Sequence, residues 1–154
     1  MFKANNIMTK KVISVSPETE ITAAAELMFK HHFNGLPVVD ETGNLVGIIC
    51  QDDLIMQQKK VPLPSFFTIL DGFIPLVSYK KIEKEVEKMV ATTVEQAMTT
   101  NPITVEPETS LEDIASLMIK HNVHTLPVLQ QGKLVGIIGK EDILRTLTSV
   151  EERD

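Results

Sequence analysis

Two aspartates close two nearly identical phrases. Asp53 follows "GIICQD" and Asp142 follows "GIIGKE", each six residues after a glycine, Gly47 or Gly136. Each comes just after an apolar run and within an acid-rich stretch, so each carboxylate sits where a strand gives way to a helix. An acid in a first helical turn offsets the helix dipole, by about 0.3–1 kcal/mol. The neighbouring Asp52 and Glu141 could do that equally well. The alternative is a carboxylate that accepts two charge-assisted hydrogen bonds from a vicinal diol, such as the 2′- and 3′-hydroxyls of a ribose.

Other chemistry is thinly represented. The sequence contains no G-x-G-x-x-G, P-loop, G-x-S-x-G or H-E-x-x-H. His31 and His32 fall at the end of a predicted helix and His121 repeats His31, which the helix dipole and solvent explain. A metal centre needs several converging ligands, and the histidines show no such spacing. Cys50 ends an apolar run and reads as a small core residue. No enzyme activity, metal or required cofactor is expected.

The elements that hold the two aspartates come from a duplication. Aligning Met8–Ile55 with Met98–Leu144 takes one deletion, in the loop Glu41–Gly43 against Gln131–Gly132, and roughly 22 of about 47 positions are identical. In each copy a short β-rich run, "VISVSPETE" or "PITVEPETS", ends at a proline and predicts a strand leaving into a turn. A helix follows, with Ile21, Ala24, Ala25 and Met28, or Leu111, Ile114, Ala115 and Met118, along one face. Thr109 with Glu112 has capping-box spacing, and Thr19 with Thr22 is a weaker version. Two apolar runs around "ETGN" or "QQG" then form a hairpin, and a second helix begins with acids. The unit is β-α-β-β-α, of an α+β class, and each copy is near the lower size limit for a core of its own. Both copies must bury themselves against each other.

This predicts three stretches: a first repeat over 1–57, a helical insert over 58–92 and a second repeat over 93–154. The insert holds Phe66, Phe67 and Phe73, with Pro62, Pro64, Asp71-Gly72 and Pro75 breaking it too often for a membrane span. Ser65 could cap a short helix there, and Ile82, Val86, Met89 and Val90 mark an amphipathic one. The insert packs on its own domain, or its phenylalanines serve dimerisation or a partner. A net charge of −6 and a pI near 5.2 argue against nucleic acid. A single cysteine and an N-terminus without a signal-peptide core make a cytoplasmic protein the default.

The doubled pattern "MT…I-V-P-E-T…A-x-L-M…LPV…G-x-LVGII…D" resembles a pair of CBS (cystathionine beta-synthase) domains, the Bateman module, over about residues 4–57 and 93–148. The resemblance implies two repeats about a pseudo-twofold axis, clefts for AMP, ADP, ATP or S-adenosylmethionine, frequent homodimers, and regulation of a protein partner in trans. A chain this short leaves no room for a fused enzyme, so a stand-alone module is expected. Carried over by residue, one cleft joins Asp142, Ile137 and Gly139 to Thr9, Lys11, Ile13, Asn34 and Gly35. The other joins Asp53, Ile48 and Cys50 to Thr99, Asn101, Ile103, His124 and Thr125. Adenine would meet backbone near Ile13 and Ile103. The family often places a hydroxyl three residues before the aspartate; here Cys50 and Gly139 stand there, which weakens phosphate recognition. Lys10 and Lys11 could compensate at the Asp142 cleft, where the other copy has Thr100 and Asn101, and His124 falls where related pairs place basic residues. The Asp142 cleft is therefore favoured. The competing reading is a ligand-independent dimerisation or scaffold module.

Overall fold

The computed structural model describes residues 1–59 and 92–151. The expected insert helices lie outside the described residues. The element order is α1 (Ala4–Ile7), α2 (Ile21–His31), β1 (Gly35–Val39), β2 (Leu45–Cys50) and α3 (Gln51–Lys59), then α4 (Val94–Ala97), β3 (Thr99–Thr100), α5 (Leu111–His121), β4 (Thr125–Gln130), β5 (Lys133–Gly139) and α6 (Lys140–Glu151). The fold is α+β with two matching repeats.

Each repeat is a hairpin with helices packed on it. β1 and β2 pair antiparallel from Gly35↔Cys50 to Val39↔Leu45, and β4 and β5 from Thr125↔Gly139 to Gln130↔Lys133. The hairpin loops differ as the deletion requires. Gln131 and Gly132 both have positive φ, the signature of a tight two-residue turn. The longer loop is held by Asp40, whose carboxylate accepts from the Thr42 N–H, the Thr42 hydroxyl and the Asn44 N–H. α2 buries Ala24 and Met28 and α5 buries Ile114 and Met118, the faces that the apolar spacing predicts.

The predicted opening strand of each repeat shrinks to one residue. Val15 bridges β1 in parallel, its N–H donating to Pro37 O and its carbonyl accepting from Val39 N–H; Val105 does the same on β4. Pairing stops there because the Ser16 N–H turns to Thr19 Oγ1, at 3.1 Å, and Pro17 has no N–H to offer. The same turn corrects the predicted caps. Thr109 Oγ1 accepts from Glu106 N–H, and it is Ser110 that caps α5 by accepting from Asp113 N–H. α2 has Glu20 at its N-cap position and no side-chain cap there.

The two repeats exchange their leading segments. Ala4 and Asn5 donate to Thr109 O and Pro107 O, whereas Val94 and Glu95 donate to Thr19 O and Pro17 O. Ala4 therefore belongs to the core of Val105, Ile114, Met118, Leu126, Val128 and Ile138, in the second repeat. Val94 belongs to the core of Val15, Ala24, Met28, Leu36, Val38 and Ile49, in the first. The chain then continues along the opposite hairpin: β3 pairs with β2 (Ile48↔Thr99), and Thr9 exchanges both backbone bonds with Ile137. Gly47 and Gly136 lie at these crossings. A Cβ on Gly47 would come within 2.7 Å of Met98 Sδ and 2.8 Å of Thr99 O, and one on Gly136 would collide with Met8.

Candidate functional site

The crossing segment from Thr9 to Val15 runs from the second sheet to the first, and a cleft opens beneath it. Its enclosed volume is about 120 Å³, smaller than a closed small-molecule pocket of roughly 300–1,000 Å³, so a ligand there would extend into the open mouth. Thr9, Lys11 and Ile13 line it from the crossing segment, Asn34 and Gly35 from the entry to β1, and Ile137, Gly139 and Asp142 from β5 and α6. The structure thus brings together all eight residues that the resemblance assigns to one cleft. The chain bends at Lys10 and Lys11, and the exposed Lys10 lies outside the lining.

Asp142 is fixed by the turn into α6. Its Oδ2 accepts the Gly139 N–H at 2.7 Å, and its side chain is 12% exposed. Its Oδ1 lies 3.5 Å from Arg145 Nη1, one helical turn along on a side chain that is 72% exposed. Burial pushes the Asp142 carboxyl above the ordinary aspartate range, although the Gly139 N–H and the Arg145 cation pull it back. Asp142 thus lines the cleft with one oxygen held by backbone and the other beside Arg145, and such a carboxylate can accept charge-assisted hydrogen bonds from hydroxyls.

At the matching site Asp53 Oδ2 accepts the Cys50 N–H at 2.8 Å, and Oδ1 accepts the Thr99 hydroxyl at 3.3 Å. Burial again raises the carboxyl, against the Cys50 N–H and the Thr99 hydroxyl. Ile48 pairs with Thr99 through backbone, Asn101 takes a left-handed φ of 53°, and Ile103 packs on the second core. Cys50 is half-buried, and burial with the nearby Asp53 and Asp52 carboxylates pushes its thiol up to about 12. A raised thiol holds little thiolate, the nucleophilic form, at neutral pH.

His124 is exposed, and its carbonyl accepts the Lys140 N–H at 2.9 Å. Thr125, assigned by resemblance to the Asp53 cleft, lines the Asp142 cleft, because β1 and β4 meet there: a Cβ on Gly35 would lie 3.2 Å from Thr125 Oγ1. The sequence reading missed several lining residues: His31, His32, Phe33, Leu36, Glu141 and Arg145. Arg145 had a usable signal, the i, i+3 spacing from Asp142. His31 and Phe33 stack with ring centroids 5.3 Å apart, which requires the left-handed turn at His32 (φ 57°) between them. Among the described residues no cluster of His, Cys, Asp and Glu could hold a metal ion, and no helix is long and apolar enough to cross a membrane.

Two repeats of helix, hairpin and helix with exchanged leading segments, each with a carboxylate at its last strand-to-helix turn, match a known domain. The CBS domain matches residues 4–60 and 94–149. The chain belongs to the CBS domain family. This CBS pair is 31% identical over 148 residues to the protein MJ1426 of Methanocaldococcus jannaschii, a match spanning 90% of this chain and 87% of that protein. Among solved structures, CBSX2 of Arabidopsis thaliana in complex with AMP superposes with a TM-score of 0.73 at 26% identity, covering 98% of this chain and 99% of that one. The CBS domain pair of MJ0100, solved with 5′-methylthioadenosine and S-adenosyl-L-methionine, gives 0.74 at 27% identity and covers 97% and 98%. Longer relatives carry the same pair as a minor part of the protein.

Proposed function

We propose that this CBS pair is a regulatory module that binds an adenosine-containing ligand in the Asp142 cleft and reports its occupancy to a protein partner. The observation that carries the reading is Asp142 itself, oriented by the Gly139 N–H at the edge of a cleft built from both repeats. The ribose diol docks on the carboxylate, and adenine lies against Ile13 and Ile137 with its edge toward backbone groups of the crossing segment. A ligand in this place touches the segment from Thr9 to Ile13, the entry to β1 and the start of α6 at once. It therefore favours one relative packing of the two repeats, and a partner that distinguishes packings reads its presence. The complexes of CBSX2 with AMP and of MJ0100 with adenosyl ligands support the ligand class.

Ile55, Met56, Leu144 and Leu147 on α3 and α6 are large apolar side chains left exposed, and they supply the face for a homodimer. The test of the ligand reading is calorimetric titration of AMP, ADP, ATP and S-adenosylmethionine into wild type, Asp53→Ala and Asp142→Ala. Losing the charge-assisted bonds costs about 1.5–3 kcal/mol, roughly ten- to a hundredfold in affinity. Binding that collapses in Asp142→Ala is expected. No heat from any of the four ligands would leave the module a ligand-independent scaffold.

A further inference from the structure

Two methionines hold matching places where the repeats cross. Met8 and Met98 each end a leading segment, their N–H groups donating to Ala4 O and Val94 O. Met8 packs against the core of the second repeat and Met98 against that of the first. Each sulfur rests on a glycine of the opposite hairpin, Met8 on Gly136 and Met98 on Gly47. A Cβ on Gly47 would stand 2.7 Å from Met98 Sδ, so the thioether fills its notch with no room to spare on that side. The other methionines among the described residues fall into two groups. Met28 and Met118 are 3% and 8% exposed, whereas Met1 and Met56 are open to solvent. Met8 and Met98 lie between these extremes, half-buried on the contact that joins the repeats.

We propose that Met8 and Met98 are paired oxidation sites, through which hydrogen peroxide loosens the exchange of leading segments. In the step the thioether sulfur attacks one peroxide oxygen. The O–O bond breaks, an S–O bond forms, and the other oxygen leaves as water. The sulfur gives up two electrons and becomes a sulfoxide, and the peroxide takes them. The product is polar, and it carries an oxygen where the notch held a bare sulfur. Buried against an apolar core, that oxygen needs a donor, and the nearby Ile137 N–H is already given to Thr9 O. Relief comes from lifting the segment off the hairpin, which breaks the pairing of Thr9 with Ile137 at one crossing and of Thr99 with Ile48 at the other. Because each leading segment completes a core of the other repeat, both halves loosen together. Methionine sulfoxide reductases return the thioether, so the change is reversible. Cys50 competes poorly for the oxidant, since its raised thiol holds little thiolate.

The experiment is graded treatment of the folded chain with hydrogen peroxide, followed by peptide mass spectrometry, thermal melting and amide exchange, with no ligand present. Met1 and Met56 should gain oxygen first, Met8 and Met98 next, and Met28 and Met118 last. The melting temperature should hold through the first stage and fall by roughly 4–8 °C with the second. Exchange at the Thr9 and Ile137 amides should quicken at the same stage, and methionine sulfoxide reductases should reverse both effects. Met8→Leu with Met98→Leu, a volume-conserving pair, should keep its melting temperature under the same treatment. Met56→Leu should remain as sensitive as wild type. If the double variant does not fold, the order of oxidation, loss and repair in wild type decides. Three results would each overturn the proposal: Met8 and Met98 unoxidised until the fold melts, both oxidised with the melting temperature unchanged, or an equal loss in a folded double variant. None of them bears on the adenosine reading, which stands or falls on ligand titration alone.

Discussion

The burial of Asp142 comes at some cost to folding. Because burial raises its carboxyl above the ordinary range, the folded chain holds that proton more readily than the unfolded chain does. Folding is then favoured below the unfolded carboxylate range and disfavoured above the raised one. Asp142→Asn removes the buried charge, and the amide oxygen can still accept the Gly139 N–H. The variant should melt above wild type at about pH 7, and the difference should vanish as the pH falls through the carboxylate range. Thermal unfolding across that interval checks it; a lower melting temperature for the variant at neutral pH would contradict the account. At this scale the sequence was informative where chemistry is local. The repeat singles out both aspartates, and the strand-to-helix junction explains their orientation. It could not separate Lys10 from Lys11, because both are solvated lysines until the crossing segment bends over the cleft and only the second lines it.

At the scale of elements, Gly47 and Gly136 let a helix-to-strand crossing lie directly on a hairpin. The two contacts differ in how far they can give. A Cβ on Gly47 meets the Thr99 carbonyl, which is backbone and part of the β2–β3 pairing, whereas one on Gly136 meets the Met8 side chain. Gly47→Ala should destabilise by about 2–3 kcal/mol, and Gly136→Ala by less. Met8→Ala should recover part of the Gly136→Ala loss, since it removes the atoms in the way. Denaturant titration of the two single variants and the Met8→Ala/Gly136→Ala pair measures this coupling. The helices and hairpins were legible because apolar spacing reports burial directly. The first strands were not, since a β-rich run cannot show that Ser16 and Glu106 will spend their N–H groups on Thr19 and Thr109. The same hydroxyls drew the capping prediction one residue away from Ser110.

The whole molecule is one cooperative body because neither core closes with residues from its own repeat alone. Val94 is fully buried in the core of the first repeat, although it lies in the second by sequence. Val94→Ala should cost about 2 kcal/mol, and both repeats should unfold in a single shared transition. Separate transitions for probes placed on β1 and on β4 would show that the exchange does not couple them. Duplication was plain in the sequence, yet the exchange was invisible there, since α1 and α4 match each other as well as they match either host. The exchange also orders events during synthesis. When the first repeat leaves the ribosome, the place of Val94 and Met98 is still empty and the edge of β2 has no β3 to pair with. The waiting half shows water an unfinished core and an open strand edge, so its exposure to misassociation lasts as long as the stretch up to residue 98 takes to be made. Slow translation between the repeats would lower the yield of folded protein even with every contact in the finished fold unchanged.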